Sequence, residues 1–147
     1  MVSSADNRDF IRAYVQESLD GALPLQEELE EMESVLFSVS FGRQEFHKKA
    51  GFQAFSAAIS TQLHVGLVLR FLSRKQRVRE SKCKVVAYRV AQRELGSTES
   101  EQEGLLTEGF EDGGEEGCGQ KLLHLLQKMG VENILVVVCV WHHRMPG

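Results

Sequence analysis

The sequence lacks the features that mark secreted, membrane-spanning and disulfide-stabilised proteins. Its 147 residues include three cysteines, Cys83, Cys118 and Cys139, an odd number with no C-x-x-C pair. No apolar run approaches the roughly 20 residues that span a bilayer. Residues 1–9 contain neither the basic nor the apolar segment of a secretion signal. We therefore expect a soluble protein of the reducing cytoplasm.

The length and composition predict one globular domain with an extension. Hydrophobic residues make up 42% of the chain and charged residues 26%, which are ordinary proportions for a folded protein. Single domains cluster around 100–150 residues, roughly the length of this chain. The change in residue character near Lys48 predicts a helical N-terminal extension over residues 1–46 and a main domain over residues 47–147.

The charge is distributed in blocks, although the net charge is only -4. Residues 1–46 carry ten acidic side chains and three arginines, and residues 94–116 carry nine acidic side chains and no basic one. Residues 47–93 carry eleven Lys or Arg and a single acid, Glu80. Such blocks mark solvated faces or interaction surfaces, so the basic block is the candidate for contact with nucleic acid.

Apolar periodicity predicts a mixed succession of helices and strands. The α/β (α+β) class follows, as a two-layer sandwich with helices packed on a sheet and a helical N-terminal extension. The continuous apolar run that ends the pattern is typical of a central strand covered on both faces. The predicted elements are helices over 10–19 and 24–36, strands over 37–41 and 52–59, a helix over 61–72, a strand over 85–90, a long mobile loop over 94–117, a helix over 122–129 and a strand over 134–141.

Two segments invite a cofactor or metal interpretation, and the spacing favours neither. The glycine-rich stretch 111–121 fails the phosphate-loop spacing because Gln120 separates Gly119 from Lys121, and its carboxylates would repel phosphate. On a strand, Cys139 and His143 share one face while His142 points away, so we interpret them as a buried cysteine and two strand-end histidines. We predict no cofactor, no metal and no catalytic residue.

The largest electrostatic feature is a basic run with two open interpretations. It could contact RNA phosphates, since neutralising phosphates releases counterions. It could instead be a solvated helix end that pairs with the acidic loop after it, and no aromatic residue lies within the run to stack bases. The run consists of Arg70, Arg74, Lys75, Arg77, Arg79, Lys82 and Lys84.

Four segments of the chain together resemble the Impact family. The sequence E-D-G-G-E-E-G-C-G-Q-K-L-L-H-L-L at 111–126 is followed by V-E-N-I-L-V-V-V-C-V-W at 131–141. Upstream, F-Q-A at 52–54 and V-A-Y-R-V at 86–90 are similar to two strands of the family. Gly113 replaces an acid of the family's turn, and Cys139-Val140 replaces its S-R. The matching signature residues are Glu111, Asp112, Gly114, Glu115, Gly119, Leu122, Leu123, His124, Asn133 and Trp141.

The resemblance implies a fold like the second domain of a small-subunit ribosomal protein and domain IV of the translocation elongation factor. It also implies a domain shortened at its C-terminus and an incomplete RWD domain before it. Eukaryotic members bind the activator of the general amino-acid-control kinase, and bacterial members are suspected of binding nucleic acid. No catalytic residues come with the family.

Two functional hypotheses remain open from the sequence. The first is a non-enzymatic regulator of translation in the stress response, which binds the kinase activator or ribosome-associated proteins. The second is an RNA- or ribosome-binding module that uses residues 70–84. No membrane partner is expected.

Overall fold

The described part of the chain folds as a mixed α/β structure with an antiparallel sheet. The computed structural model describes residue 11, residues 26–92 and residues 105–142. These residues form a six-stranded sheet with helices on both faces, which confirms the predicted α+β class. None of the helices in these ranges is both long and apolar enough to cross a bilayer.

The elements follow one another closely along the chain. The sheet order is β1-β3-β6-β4-β5, and β2 also pairs with β3. The bounds are α1 (Gln26–Phe37), β1 (Ser40–Phe41), β2 (Glu45–His47), β3 (Ala50–Ala58), α2 (Leu63–Ser73), α3 (Gln76–Glu80), β4 (Cys83–Gln92), β5 (Leu105–Glu111), α4 (Cys118–Met129) and β6 (Ile134–His142).

Strand β6 lies at the centre of the sheet, as its apolar run predicted. It pairs antiparallel with β3 on one side and with β4 on the other. Strands β3 and β4 are therefore parallel to each other, and parallel strands need a long crossover, which α2 and α3 provide. Leu135, Val137 and Cys139 of β6 are at most 1% exposed.

Helices α1, α2 and α3 cover one face of the sheet, called here the core face. Leu67, Val68 and Leu72 of α2 pack with strand residues such as Phe55 and Val137 in one cluster. Ile11 is helical, 4% exposed and part of the same cluster. It is the one described residue of the helix predicted over 10–19, and the remainder of that helix lies outside the described residues.

Helix α4 covers only part of the opposite face, called here the α4 face. Its Leu123 and Leu126 are buried with Ala87 of β4, and partly buried Ile134 and Val136 complete the cluster. The helix contacts mainly β4 and β5. The β3 side of this face therefore has less cover than the core face.

The prediction of a mobile loop over 94–117 was wrong for residues 105–111, which form strand β5. This strand pairs with β4 in register from Leu105 opposite Gln92 to Glu111 opposite Val86. Its Leu106 and Phe110 stay exposed, as an edge strand allows, and Tyr88 of β4 lies over Gly109 so closely that a Cβ atom there would overlap the phenol ring. The tyrosine supplies the packing that the glycine lacks, which the strand's own composition does not reveal. Residues 93–104 lie outside the described residues.

The strand predicted over 37–41 is shorter than expected. Helix α1 continues to Phe37 because Val35 and Leu36 extend its apolar seam into the core. Only Ser40 and Phe41 then pair with β3. The alternation of apolar and polar residues across 37–41 therefore includes the end of a helix.

An ion pair joins β4, β5 and the loop after α4. Arg89 Nε donates to Glu108 Oε2 at 2.7 Å, and Arg89 Nη1 donates to the Val131 carbonyl at 2.8 Å. The Gln127 amide also donates to Glu108, and these hydrogen bonds, with the charge of Arg89, lower the pKa of the Glu108 carboxyl. Arg89, the arginine of the V-A-Y-R-V segment that resembles the family, thus has a structural role.

Candidate functional site

In the glycine-rich turn before α4, the backbone amides are already hydrogen-bonded to a carboxylate of the same turn. Asp112 accepts hydrogen bonds from the backbone amides of Gly117 at 3.0 Å and Gly119 at 2.8 Å. Amides at a helix N-terminus are the groups that would bind a phosphate. Because the Asp112 carboxylate uses them, the turn serves to begin α4, which agrees with its failed phosphate-loop spacing.

The departure from the family signature at Gly113 has a steric reason in this chain. Gly113 has a φ of +62°, and a Cβ atom there would overlap the backbone carbonyl of Lys84. A side chain would meet both the left-handed backbone and the adjacent strand. Glycine is therefore the residue that lets the turn lie against β4.

The other signature residues fall into structural and exposed groups. Asn133 adopts a φ of 57°, accepts from the Ala91 amide through its side chain and accepts from the Ile59 amide through its carbonyl. Leu123 is buried, Leu122 is partly buried, and Glu115 Oε1 accepts from the Cys83 thiol at 3.5 Å. His124 is exposed. The signature mainly builds the β5–α4–β6 connection.

Trp141, the last signature residue, connects the sheet to the basic run. Its indole Nε1 donates to the backbone carbonyl of Arg77 at 2.9 Å. The Arg77 guanidinium lies 4.9 Å from the centre of the same ring, which is a cation–π distance. The tryptophan therefore holds α3 and one of its cations near the end of the central strand β6.

A second aromatic ring lies beneath the basic run. Lys75 Nζ is 4.5 Å from the centre of the Phe41 ring, and Phe41 packs edge-on against buried Phe55 with 5.6 Å between ring centres. Phe41 remains 50% exposed. A ring fixed from below and half exposed is suited to stacking once the flexible lysine side chain moves aside.

The strand register brings a third ring to the same face. Phe46 of β2 lies opposite Gly51 of β3, and Gly51 lies opposite Trp141 of β6. Residues directly opposite one another share a face, and Phe41 shares that face because its partner Phe55 is four residues from Gly51. Phe46 is 57% exposed. We call Phe41, Phe46 and Trp141, with the basic run above them, the aromatic–basic surface.

The cations of the predicted basic run lie on or beside α2 and α3, and two of them, Lys75 and Arg77, lie over the rings of Phe41 and Trp141. Arg70 is in the last turn of α2, Arg77 and Arg79 are in α3, and the others flank these helices. All are exposed except Lys84, which is partly buried. The run contains no aromatic residue, and the fold supplies the rings from β1, β2 and β6. The pairing of β1 and β2 with β3, which sequence analysis missed, places two of them there.

An apolar groove about 480 Å³ in volume opens on the α4 face. Leu125 on the α4 side of the groove is 51% exposed, and Val138 of β6 is partly exposed. The groove occupies the part of the sheet that α4 leaves open. It is lined by Ala50, Phe52, Val85, Glu115, Cys118, Lys121, Leu122, Leu125, Val138 and Val140.

A cleft of about 910 Å³ lies between α1 and α2 and contains a buried histidine that sequence analysis did not single out. Nδ1 of His64 accepts from the Ser60 amide at 3.2 Å and the Thr61 amide at 3.4 Å. Nε2 of His64 faces Glu31 at 3.7 Å, and the Ser60 hydroxyl donates to Glu31 at 2.7 Å. Because Nδ1 is occupied by backbone donors, His64 is a poor base for Ser60.

Two of the cysteines, Cys83 and Cys139, are not activated nucleophiles. Burial raises the pKa of the Cys83 thiol, and its hydrogen bond to Glu115 raises it further. Burial also raises the pKa of Cys139. A nucleophilic thiol needs a lowered pKa. Among the described residues no group of three or more His, Cys, Asp or Glu could hold a metal ion, and His143 of the rejected metal set lies outside them.

The described part of the fold thus carries a basic face with exposed rings and, on the opposite face of the sheet, an apolar groove. A family model described as the Impact N-terminal domain matches residues 48–145. The chain belongs to this family, which confirms the resemblance drawn from its motifs.

Relatives with similar sequences carry the family name. Protein IMPACT-B of Xenopus tropicalis is 30% identical over 104 residues, which cover 71% of this chain and 30% of that protein. The Protein IMPACT homolog of Caenorhabditis elegans is 27% identical over 142 residues, which cover 92% of this chain and 51% of that protein. The chain thus spans about a third to a half of these two relatives.

Two solved structures share the fold. The two-domain translational regulator Yih1 superposes with a TM-score of 0.56 at 21% identity, over 97% of this chain and 64% of that one. A structure described only as a hypothetical protein gives a TM-score of 0.52 at 19% identity, over 75% of this chain and 52% of that one. At these identities the likeness concerns the fold.

Replacing the carboxylate that begins α4 tests its structural role. Asp112→Ala should lower the free energy of unfolding by about 0.5–2 kcal/mol, because two helix amides lose their acceptor. Urea unfolding followed by circular dichroism measures the change. Glu116→Ala, an exposed acid of the same turn, serves as the control and should change stability little. Equal effects of the two replacements would mean that Asp112 does not cap the helix.

The buried histidine should make stability depend on pH. Burial lowers the pKa of His64, and Glu31 offsets this only in part. The unfolded chain therefore takes up the proton first, so the contribution is complete above the ordinary histidine pKa of about 6.5 and is lost as the pH falls below it. His64→Asn keeps an acceptor near Nδ1 without titrating. Urea midpoints from pH 7.5 to 5.5 should fall more steeply in the natural chain, and parallel curves would contradict this.

Proposed function

We propose that this chain is a non-enzymatic regulator of translation that works in the cytoplasm by binding a protein partner. Family membership supports the proposal, and Yih1, with which it shares the fold, is described as a translational regulator. The partner that the family resemblance implies is the activator of the general amino-acid-control kinase, and ribosome-associated proteins are the other candidates. Through that partner the chain modulates the stress kinase pathway.

The observation that supports protein binding best is the apolar groove on the α4 face. Its floor is formed by apolar side chains of β3, β4 and β6, and Leu125 stands on the α4 side with half of its surface exposed. An open apolar groove of this kind marks an interaction site.

The occupant that fits the groove is one amphipathic helix of the partner. Helix α4 already covers the β4 and β5 side, so the space left is the neighbouring strip of one sheet face. Glu115 and Lys121 bring one charge of each sign to an otherwise apolar lining. A helix with an apolar stripe and an acid beside it for Lys121 complements the apolar lining and its exposed cation.

Changing the groove should weaken recovery of the partner. Leu125→Glu places a charge in the apolar lining at an exposed position, so it should reduce binding at least tenfold without unfolding the chain. The full chain is used to recover the kinase activator from nuclease-treated lysate, with detection by a specific antibody and a binding curve for the purified activator.

The matched control for this variant is Leu63→Glu, because Leu63 is 86% exposed at the start of α2, away from the groove. The control should bind as the natural chain does. Binding that survives Leu125→Glu would show that the groove is not the docking site. No recovery of the activator by the natural chain would reject this partner.

A second candidate function is RNA binding through the aromatic–basic surface. The specific observation in its favour is that Lys75 and Arg77 lie over the rings of Phe41 and Trp141, at 4.5 Å and 4.9 Å. Exposed cations gathered on one face supply the electrostatic part of RNA affinity. The same face also carries exposed rings, so the combination is more suited to nucleic acid than charge alone.

Removing the cations should abolish RNA binding. If about four phosphates are neutralised, the logarithm of the binding constant should fall with the logarithm of salt at a slope of roughly -3 for single strands. The control Lys121→Ala/Lys128→Ala removes exposed cations from α4 and should leave binding unchanged. Affinity that is insensitive to salt, or unaffected by the test replacement, would reject this candidate. The test variant replaces Arg74, Lys75, Arg77, Arg79, Lys82 and Lys84 with Ala.

A further inference from the structure

We propose that the aromatic–basic surface binds unpaired bases of single-stranded nucleic acid by stacking them on Phe41 and Phe46. The inference rests on the second candidate function and deepens it by naming the form of the nucleic acid. It follows from the position, exposure and support of the rings.

The rings are exposed where a packed protein would bury them. Phe41 is 50% exposed and Phe46 is 57% exposed, although both belong to strands that pair with β3. Large apolar side chains that cluster on a surface mark an interaction site more often than single ones do. Bases offer such rings a flat π-face, and each stacked base contributes substantially to affinity whatever its identity.

The rings are held in place before any ligand arrives. Phe41 packs edge-on against buried Phe55 at an interplanar angle of 81°, which fixes its plane from below. The pairing of β2 with β3 places Phe46 in the same cross-strand row as Trp141, so its backbone is fixed on this face of the sheet. A ring that is already ordered loses little conformational entropy when a base stacks on it.

Cations lie beside two of the rings, where they can contact the phosphates of a bound strand. The Lys75 ammonium lies 4.5 Å from the Phe41 ring centre, and the side chain is long and exposed. When a base takes the ring face, the ammonium can move to a neighbouring phosphate and keep its charge compensated. Arg77 over Trp141 offers a second cation in the same way. Two of the rings therefore each have a cation beside them, as each base of a single strand has a phosphate near it.

A duplex gains only part of this interaction. Its bases are already stacked and paired, so it can contact the cations but cannot cover the rings without unstacking. The surface should therefore prefer a single strand to a duplex of the same length. A surface that works by charge alone would favour the duplex, whose charge density is higher.

The test is fluorescence anisotropy with a labelled 12-nucleotide RNA of mixed sequence, alone and annealed to its complement. The natural chain should bind the single strand at least about tenfold more tightly. The double variant Phe41→Leu/Phe46→Leu should weaken single-strand binding by about tenfold or more and leave duplex binding unchanged. The same single strand in DNA form should behave like the RNA, because stacking does not involve the 2′-hydroxyl.

The controls separate stacking from charge and from misfolding. Phe110→Leu changes a ring that is 43% exposed on edge strand β5 and should bind as the natural chain does. Thermal unfolding of each variant establishes that it is folded at the assay temperature. Intact single-strand binding in a folded double variant, or equal binding of both forms by the natural chain, would overturn stacking. If replacing the cations then still abolishes binding, RNA binding by charge is supported and stacking is rejected. If the natural chain binds neither form, both proposals are rejected.

Discussion

The double pairing of β6 is the constraint on which the rest of the structure depends. This strand comes after every other described element in the chain and lies between β3 and β4, with registers of nine and seven residues. Its side chains alternate between the cluster on the core face and the cluster on the α4 face. If the pairing of β6 slipped by one residue, each of these side chains would point to the wrong face. Asn133 fixes the start of the strand, because its left-handed backbone, carbonyl and side chain are bonded to both neighbouring strand regions.

Among the described residues, α1, α2, α3 and helical Ile11 pack on one face of the sheet, whereas α4 alone packs on the other. On the core face, α3 lies near the end of the central strand β6, where the Trp141 indole donates to the Arg77 carbonyl. On the α4 face, the helix leaves an apolar strip beside β3. Both candidate surfaces are thus consequences of how helices are distributed over one sheet, and they lie on opposite faces of it.

The elements predicted correctly from sequence are those whose buried side chains stand close together in the chain. The continuous apolar run predicted β6, and the seam of Leu122, Leu123, Leu125, Leu126 and Met129 predicted α4, although Leu125 and Met129 are exposed. The family motif coincides with the turn between β5 and α4. Strand β5 was missed because its exposed Leu106 and Phe110 flank polar residues and a glycine, and that glycine takes its packing from Tyr88. The aromatic–basic surface was missed for a related reason, since Phe41, Phe46 and Trp141 are up to 100 residues apart in the chain and meet only through strand register. Periodicity describes one segment at a time, whereas register joins distant ones.

The position of Trp141 has a spectroscopic consequence. It is the single tryptophan of the chain, its indole N–H is bonded to a backbone carbonyl, and a guanidinium lies over its face. The intrinsic emission of the protein therefore arises from one indole at the border of the aromatic–basic surface, and any ligand that draws Arg77 away changes the polarity and the charge around that emitter. Occupancy of this end of the molecule can thus be followed by wavelength and quenching in the unlabelled protein, while an occupant of the groove on the α4 face leaves the same signal largely untouched.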